Sequence, residues 1–372
     1  MKNIVIIGGG AAAFECAAAI RKEDVQSGIT IYSKESVLPY RRPGLSALAA
    51  DDKEIPETFF IKKEAYYTDN NINIHLGIPV DKILPEEHLI ELADGTTAKY
   101  DKLVIATGAD ARRIPVDGAD GKNTFVLRSY QDLLALRQAV GNGKKRCVVI
   151  GGGLLGLELA DSLLKRNCHV AVIEGADRLL PRNLDVQGSG FAMKQLAEIP
   201  DFELLTGRSV NAITENSVVL ADGAVECDFV FFSTGSVAVY PGCPQLAVDR
   251  GIIVDKHMQT NLPDIFAAGD CAQFEGSVCG LYTTAAAMGK IAGACAAGAA
   301  AEYLPTSYPA RLNALGLKLF SAGVFDESLE NKIEQSGTSY RRIFYRKDGS
   351  IAGVVLIGDI SEANSLLKQM NS

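Results

Sequence analysis

Residues 4–17 read "IVIIGGGAAAFECA": an unbroken apolar run, three glycines, then an alanine-rich stretch. That order predicts a buried strand, a tight loop and a helix. The phrase returns as "CVVIGGGLLGLELA" at 147–160. Each copy leads into a second apolar strand, "GITIYS" (28–33) and "HVAVIE" (169–174). Farther on, "LADGTTAKYDKLVIATG" (92–108) and "LADGAVECDFVFFSTG" (220–235) each read as an Asp-Gly turn and an apolar strand ending in Thr-Gly. Strand and helix patterns alternate, which predicts parallel sheets with crossover helices, a doubly wound α/β architecture.

The first unit needs one more strand, and "DIFAAGD" (264–270) supplies it. The expected organisation is two Rossmann-like units and a small α+β C-terminal domain. The first unit is discontinuous, 1–113 plus 243–304, and the second, 114–242, is inserted into it. The turn-rich "LPTSYP" (304–309) opens the last domain, 305–372, which holds a hairpin around Asp348-Gly349 and a helix over 361–370.

The glycine loops carry the first chemistry. Gly8, Gly10 and Ala13 fill the small positions of G-x-G-x-x-G/A, and Gly151, Gly153 and Gly156 fill them again. The first small residue permits the turn, and the second lets backbone approach a pyrophosphate. The third lets the helix sit close to the strand, with its N-terminal N–H groups facing the phosphates. Both copies are therefore expected to bind a dinucleotide. The strand after the second loop ends in Glu174, placed to accept from a ribose 2′-OH and to repel a 2′-phosphate. That copy is expected to prefer NADH to NADPH. In the first copy the equivalent place is Ser33, and the acid arrives at Glu35.

Composition narrows the field. At 372 residues two or three domains are expected, and 47% hydrophobic with 22% charged residues is ordinary for a globular protein. A net charge of −8 argues against nucleic acid and anionic membranes as partners. The Ala/Gly-rich stretch 283–303 contains Lys290 and is expected to be a helix packed closely on other backbone, not a membrane span. Met1-Lys2-Asn3 runs straight into the first strand, as expected of a chain without a signal peptide, so a cytoplasmic location is expected. The eight cysteines contain no C-x-x-C pair and no iron–sulfur cluster spacing. They are expected to be small buried hydrophobes, and no metal site is expected.

With those features in place, the chain resembles the FAD-dependent pyridine nucleotide-disulfide oxidoreductase superfamily. Within it, the resemblance is to the branch of NADH:rubredoxin reductases and nitrite reductase NAD(P)H subunits. It rests on "GGGAAAFECA", "YRRPGLS" (40–46), "LVIATGADARRIP" (103–115), "GGGLLGLELA", "RLLPRNLD" (178–185), "DIFAAGDCA" (264–272) and "LKLFSAG" (317–323). The resemblance implies FAD on the first loop and NADH on the second. It implies Asp270 on the FAD ribityl or phosphate, Arg42 and Pro43 beside the flavin, and Arg112 near the FAD phosphates. Glu158 would face the gap between nicotinamide and flavin. The helix beginning in "GLYTTAAAMGK" (280–290) would point its N-terminus at the flavin, with Tyr282 alongside. Thr107, Gly108, Gly235 and Gly269, at the strand ends, complete the expected cofactor-binding set. Glu158, Arg42 and Tyr282 are the groups expected beside the reacting rings.

The resemblance implies a reductase that passes electrons from NADH through FAD to a small one-electron carrier such as rubredoxin. An NADH oxidase and a non-catalytic redox-sensing flavoprotein remain open as alternatives. Three departures stand out. Relatives often carry a lysine, paired with the equivalent of Glu158, where this chain has Ala47. "SVAVYPG" (236–242) replaces the usual Arg-Pro-Asn. "YRRPGLSALAA" holds no cysteine, which argues against disulfide and peroxide substrates. The basic cluster Arg341, Arg342, Arg346 and Lys347 on the C-terminal hairpin is a candidate docking face for an acidic carrier.

Overall fold

The computed structural model describes residues 2–141, 143–278, 280–305 and 309–370. Along the chain run helices α1 (Ala11–Glu23), α2 (Leu45–Leu48), α3 (Glu64–Asp69), α4 (Tyr130–Val140), α5 (Leu154–Lys165), α6 (Val186–Leu196), α7 (Tyr282–Ala297) and α8 (Ala363–Met370). The first apolar run forms the central strand, Asn3–Ile7, of a five-stranded parallel sheet. Gly28–Ser33 and Ile72–Leu76 lie on one side of it, Lys102–Ile105 and Ile265–Ala267 on the other. The strand expected from "DIFAAGD" thus closes this sheet across a long insertion.

The second copy repeats the plan. Arg146–Ile150 is central, flanked by His169–Glu174 and Phe202–Thr206 on one side and by Phe229–Phe232 and Thr124–Val126 on the other, all parallel. Strands of this kind are buried on both faces, which explains why their sequences are continuous apolar runs. Each unit also carries a three-stranded antiparallel meander, at 80–99 and 210–226. The C-terminal part is a five-stranded antiparallel sheet backed by α8, with the expected hairpin turn at Asp348-Gly349. Thr306, Ser307 and Tyr308 of the boundary segment lie outside the described residues.

The Ala/Gly stretch becomes α7, and its small residues have a steric reason. A Cβ on Gly289 would lie 2.2 Å from the Ala12 carbonyl oxygen, and one on Gly293 would lie 2.3 Å from that of Cys16. Helices α1 and α7 therefore cross backbone to backbone, as expected. No helix among the described residues is long and apolar enough to cross a membrane.

Packing does not follow the sheet boundaries. Tyr40, Leu45, Ala49 and Phe59, from the segment following the first unit's second strand, are buried in the core of the second unit. Their neighbours there include Leu133, Leu157 and Leu163, and Leu312, Leu317 and Tyr340 from the C-terminal sheet. Residues 40–60 thus strap the first unit onto the other two.

Candidate active site

Both glycine loops have the geometry that the motif demands. Gly8 sits at φ +126°, and a Cβ there would lie 2.1 Å from the Ala106 carbonyl oxygen. Gly151 repeats this at φ +110°, with the Ser233 carbonyl oxygen at 2.4 Å, and a Cβ on Gly156 would meet the Gly151 oxygen at 2.0 Å. Gly10 and Gly153 face open space. They are also the N-caps of α1 and α5, and neither helix start receives a side-chain cap. The first-turn N–H groups are therefore available to an anion. Ala13, fully buried, packs its helix on the sheet.

The two acids behave differently. Glu174 folds back on its own loop, accepting from the Gly152 and Ala176 N–H groups, both at 2.8 Å. Glu35 instead accepts from the Tyr40 hydroxyl (2.7 Å) and pairs with Arg42 (3.0 Å). In the first loop it is Ser33 that lies against the glycines: a Cβ on Gly9 would meet its Oγ at 2.3 Å.

Beyond the first loop, Asp270 is pinned from one side only. Its Oδ2 accepts from Arg128 Nη2 at 2.5 Å, while its Oδ1 is buried with no hydrogen-bond partner among the described residues. Arg128 also donates to the Ala109 carbonyl (2.9 Å) and accepts from Arg42 at its own carbonyl (2.5 Å). A continuous polar chain thus joins Asp270, Arg128, Arg42, Glu35 and Tyr40. An unsatisfied carboxylate oxygen in a buried position calls for a donor, which a ribityl hydroxyl would supply. With the two open cradles, this makes the residues present fit FAD and a second dinucleotide.

Arg128 was not among the residues expected from sequence. Its local signal, the Ser129/Asp132 capping box at the start of α4, marks a helix start and says nothing about Asp270. Arg112, expected near the FAD phosphates, has an exposed side chain, and only its backbone is engaged, donating to Gly235 O (2.9 Å). The guanidinium at Asp270 is that of Arg128.

Thr107, Gly108 and Gly235 meet at the crossing between the two units. Ala109–Ala111 pairs antiparallel with Ser236–Ala238. The Thr107 hydroxyl donates to Val239 O, and the Thr234 hydroxyl donates to Arg112 O. Gly108 and Gly235 turn into this ribbon at φ +75° and +93°. Gly269, at φ +80°, leaves room for α1: a Cβ there would lie 3.0 Å from Ala12 Cβ.

Glu158 lies half-buried on α5 and accepts from the Ser46 hydroxyl at 2.7 Å. Burial raises its carboxyl above the ordinary range, the Ser46 bond opposes this, and Asp161 one turn on adds to it. Ala47 is exposed. Tyr282 is the first residue of α7, whose N-cap Leu281 supplies no side-chain bond, and burial raises its phenol above the usual value. Pro43 sits in a short turn of 3₁₀ helix, Arg42–Gly44.

The basic hairpin does not present its four basic residues together: Arg346 and Lys347 are exposed, but Arg342 is withdrawn. Arg342 is 2% exposed and ion-paired to Asp185 (2.7 Å) and Glu327 (2.5 Å). Arg341 is held between Glu334 (3.3 Å) and Glu362 (2.8 Å). Arg346 donates to Ser350 and to the Ile351 carbonyl. Alternation along Ser339–Tyr345 explains the error. Arg342 shares a face with Tyr340 and Phe344, and that face is buried. Among the described cysteines, Cys16, Cys147, Cys168, Cys227 and Cys271 are buried and Cys243 and Cys295 half-buried, while Cys279 lies outside the described residues.

Comparison with known proteins gives the family. Residues 2–289 match the pyridine nucleotide-disulphide oxidoreductase family, and residues 309–372 match the rubredoxin NAD+ reductase C-terminal domain. The NADH-rubredoxin oxidoreductase of Clostridium acetobutylicum is 32% identical over 375 residues, covering 100% of this chain and 94% of that protein. The nitrite reductase [NAD(P)H] of Bacillus subtilis is 32% identical over 99% of this chain, which spans 47% of its length. Among solved structures, a covalent putidaredoxin reductase–putidaredoxin complex superposes with a TM-score of 0.87 at 26% identity, covering 99% of this chain and 93% of that one. Two complete glycine cradles, the unsatisfied Asp270 and a match over most of the length agree: the chain belongs to the pyridine nucleotide-disulphide oxidoreductase family.

Proposed function

We infer that the protein is an FAD-containing, NADH-dependent reductase whose acceptor is a small one-electron carrier protein of the rubredoxin type. The observation that carries this is the pair of complete, open glycine cradles, the first with Asp270, whose buried Oδ1 lacks a partner, next to the Gly269 that packs on its helix α1. Bound FAD supplies what no side chain can, accepting two electrons as a hydride from NADH and releasing them singly.

The chain's part is to bind and orient. Residues 1–113 and 243–304 hold FAD: Gly8, Gly10 and the start of α1 at the pyrophosphate, Asp270 on the ribityl chain, and Glu35 beside the adenosine ribose. Pro43 and Tyr282 border the ring, Arg42 follows its pair Glu35 on the nucleotide side, and Thr107, Gly108 and Gly269 shape the pocket floor. Residues 114–242 hold NADH, with Gly151, Gly153 and Gly156 at the pyrophosphate, Glu174 on the ribose and Gly235 near the nicotinamide. Glu158 stands between the two rings. The uncapped N-terminus of α7 places partial positive charge where reduced flavin is negative.

The carrier is supported by the C-terminal match and by the relative's name, and an NADH-using enzyme of this kind would work in the cytoplasm. The test compares NADH consumption with rubredoxin present and with oxygen alone. A carrier-dependent rate is expected, and equal rates would replace the reductase with an oxidase.

A further inference from the structure

Helix α5 carries a polar stripe, Glu158, Ser162 and Arg166, at every fourth residue through its C-cap, hence on one face. All three reach the same short segment of the strap. The Ser46 hydroxyl donates to Glu158 Oε2 (2.7 Å), the Ser162 hydroxyl donates to the Ser46 carbonyl (2.6 Å), and Arg166 Nε donates to the Ala49 carbonyl (2.6 Å). Arg166 also pairs with Asp52 (2.5 Å), and Arg137 of α4 grips the Leu48 carbonyl (2.8 Å). Ser46 is 7% exposed, so its backbone is fixed from one side while its hydroxyl fixes Glu158 from the other.

Among the described residues, no other side chain is hydrogen-bonded to Glu158. Among the described residues no cation is paired with it: α2 has no ionisable side chain, and Ala47 is exposed. Arg42, just before α2, is paired to Glu35. On α5, Asp161 is taken up by the Leu315 N–H and Lys165. The neighbouring strands bring Arg146, paired to Glu226; the buried thiol Cys147; His169, paired to Asp201; Glu174, held by two N–H groups; and Arg311, bonded to Asn364. A neutral hydroxyl orients a carboxylate without cancelling its charge, whereas an ammonium would cancel it.

We propose that Ser46 is the positioning residue of the nicotinamide site, holding Glu158 so that an uncancelled negative charge faces the ring from which hydride leaves. This rests on the placement of Glu158 proposed above. In that step NADH loses a hydride, one proton with two electrons, to FAD and becomes cationic NAD+. Ser46 and Glu158 exchange no atoms; the carboxylate stabilises the positive charge as it develops. Burial pushes Glu158 towards its protonated form, and Ser46 opposes that push.

The test uses the holoenzyme of the wild type and of Ser46→Ala, Ser46→Thr and Glu158→Gln. Without nicotinamide, the protonated-carboxyl infrared band of Glu158, assigned by its loss in Glu158→Gln, is titrated with pH. Ser46→Ala should move that titration upward by about one to two pH units, a ~10–100-fold change in protonation, and Ser46→Thr should return it. In anaerobic stopped flow at saturating NADH, Ser46→Ala should shift the acid limb of flavin bleaching upward by the same amount, slowing bleaching about tenfold or more on that limb, and leave NADH affinity unchanged. If Ser46→Ala leaves both the titration and the bleaching unchanged while Glu158→Gln slows bleaching, Ser46 has no such role and Glu158 keeps its place. If Glu158→Gln bleaches like the wild type, the placement of Glu158 falls, and the proposal with it. Should Ser46→Ala fail to retain FAD, Ser46→Cys keeps the size with a weaker donor, and the same upward shift is required of it.

Discussion

Replacing Arg342 with methionine should be among the most damaging single changes in the C-terminal sheet. Asp185 caps α6 and is wholly buried. Its Oδ1 accepts from Arg342 (2.7 Å), the Tyr340 hydroxyl (2.9 Å), and the Gln187 (3.1 Å) and Gly188 (3.2 Å) N–H groups. Arg342 itself also bonds Asn331 and stacks over Phe344 at 4.6 Å. Glu327, about half exposed, adds little, because solvent screens it. Methionine keeps the volume but leaves a buried carboxylate without its cation. Breaking a buried pair from one side costs about 3–5 kcal/mol, two to three and a half orders of magnitude in the folding equilibrium. Removing both charges with Asp185→Asn and Arg342→Met should return part of that loss, because asparagine still caps α6. Urea unfolding followed by circular dichroism and by flavin release measures both variants, and the loss should persist at high salt because the pair is shielded from ions. A single-variant loss below about 1 kcal/mol would put Arg342 with ordinary surface ion pairs and refute its role as a clamp between the second unit and the C-terminal sheet.

Two further outcomes are expected. Asp270→Asn removes the charge that Arg128 pairs with and weakens the acceptor beneath the first loop, so FAD should bind about 10–100-fold less tightly, read as flavin retained after dialysis. A variant as yellow as the wild type would show that Asp270 does not hold FAD. Glu174→Ala should reduce the preference for NADH over NADPH by roughly 5–150-fold, the worth of one hydrogen bond and one charge repulsion. An unchanged ratio of the two kcat/KM values would remove Glu174 from the ribose.

What was legible in the sequence follows from what is local. A glycine that must turn at positive φ beside a strand end leaves its mark within a few residues, so both cradles and the closing strand Ile265–Ala267 could be read directly. The contacts that join the units could not. Arg128 meets Asp270 across 142 positions and Ser46 meets Glu158 across 112, and neither has a period or spacing to betray it. Arg342 differs, because a signal was present. In "SYRRIFY" the two arginines fall on opposite faces of one strand, so they could not form one cluster, and the one beside Tyr340 and Phe344 is inside. Reading the four basic residues as one cluster ignored the pleat.

Two fastenings then decide how the nucleotide units can move. The ribbon of Ala109–Ala111 against Ser236–Ala238 is narrow, and with its two threonine clasps alone it could act as a hinge. The strap forbids that use. Opening about the ribbon would draw Tyr40, Leu45 and Phe59 out of the shared core, at roughly 1.5–3 kcal/mol for each large side chain, and would strip Ser162, Arg137 and Arg166 from their carbonyl partners. On apolar burial alone the cost is about 5–9 kcal/mol, so fewer than about one molecule in several thousand would be open at a given moment. Wide opening about the ribbon is therefore rare, and the two units stay closed on each other. The α2–α5 contact, in which the Ser46 hydroxyl meets Glu158, is then as fixed as the strap itself.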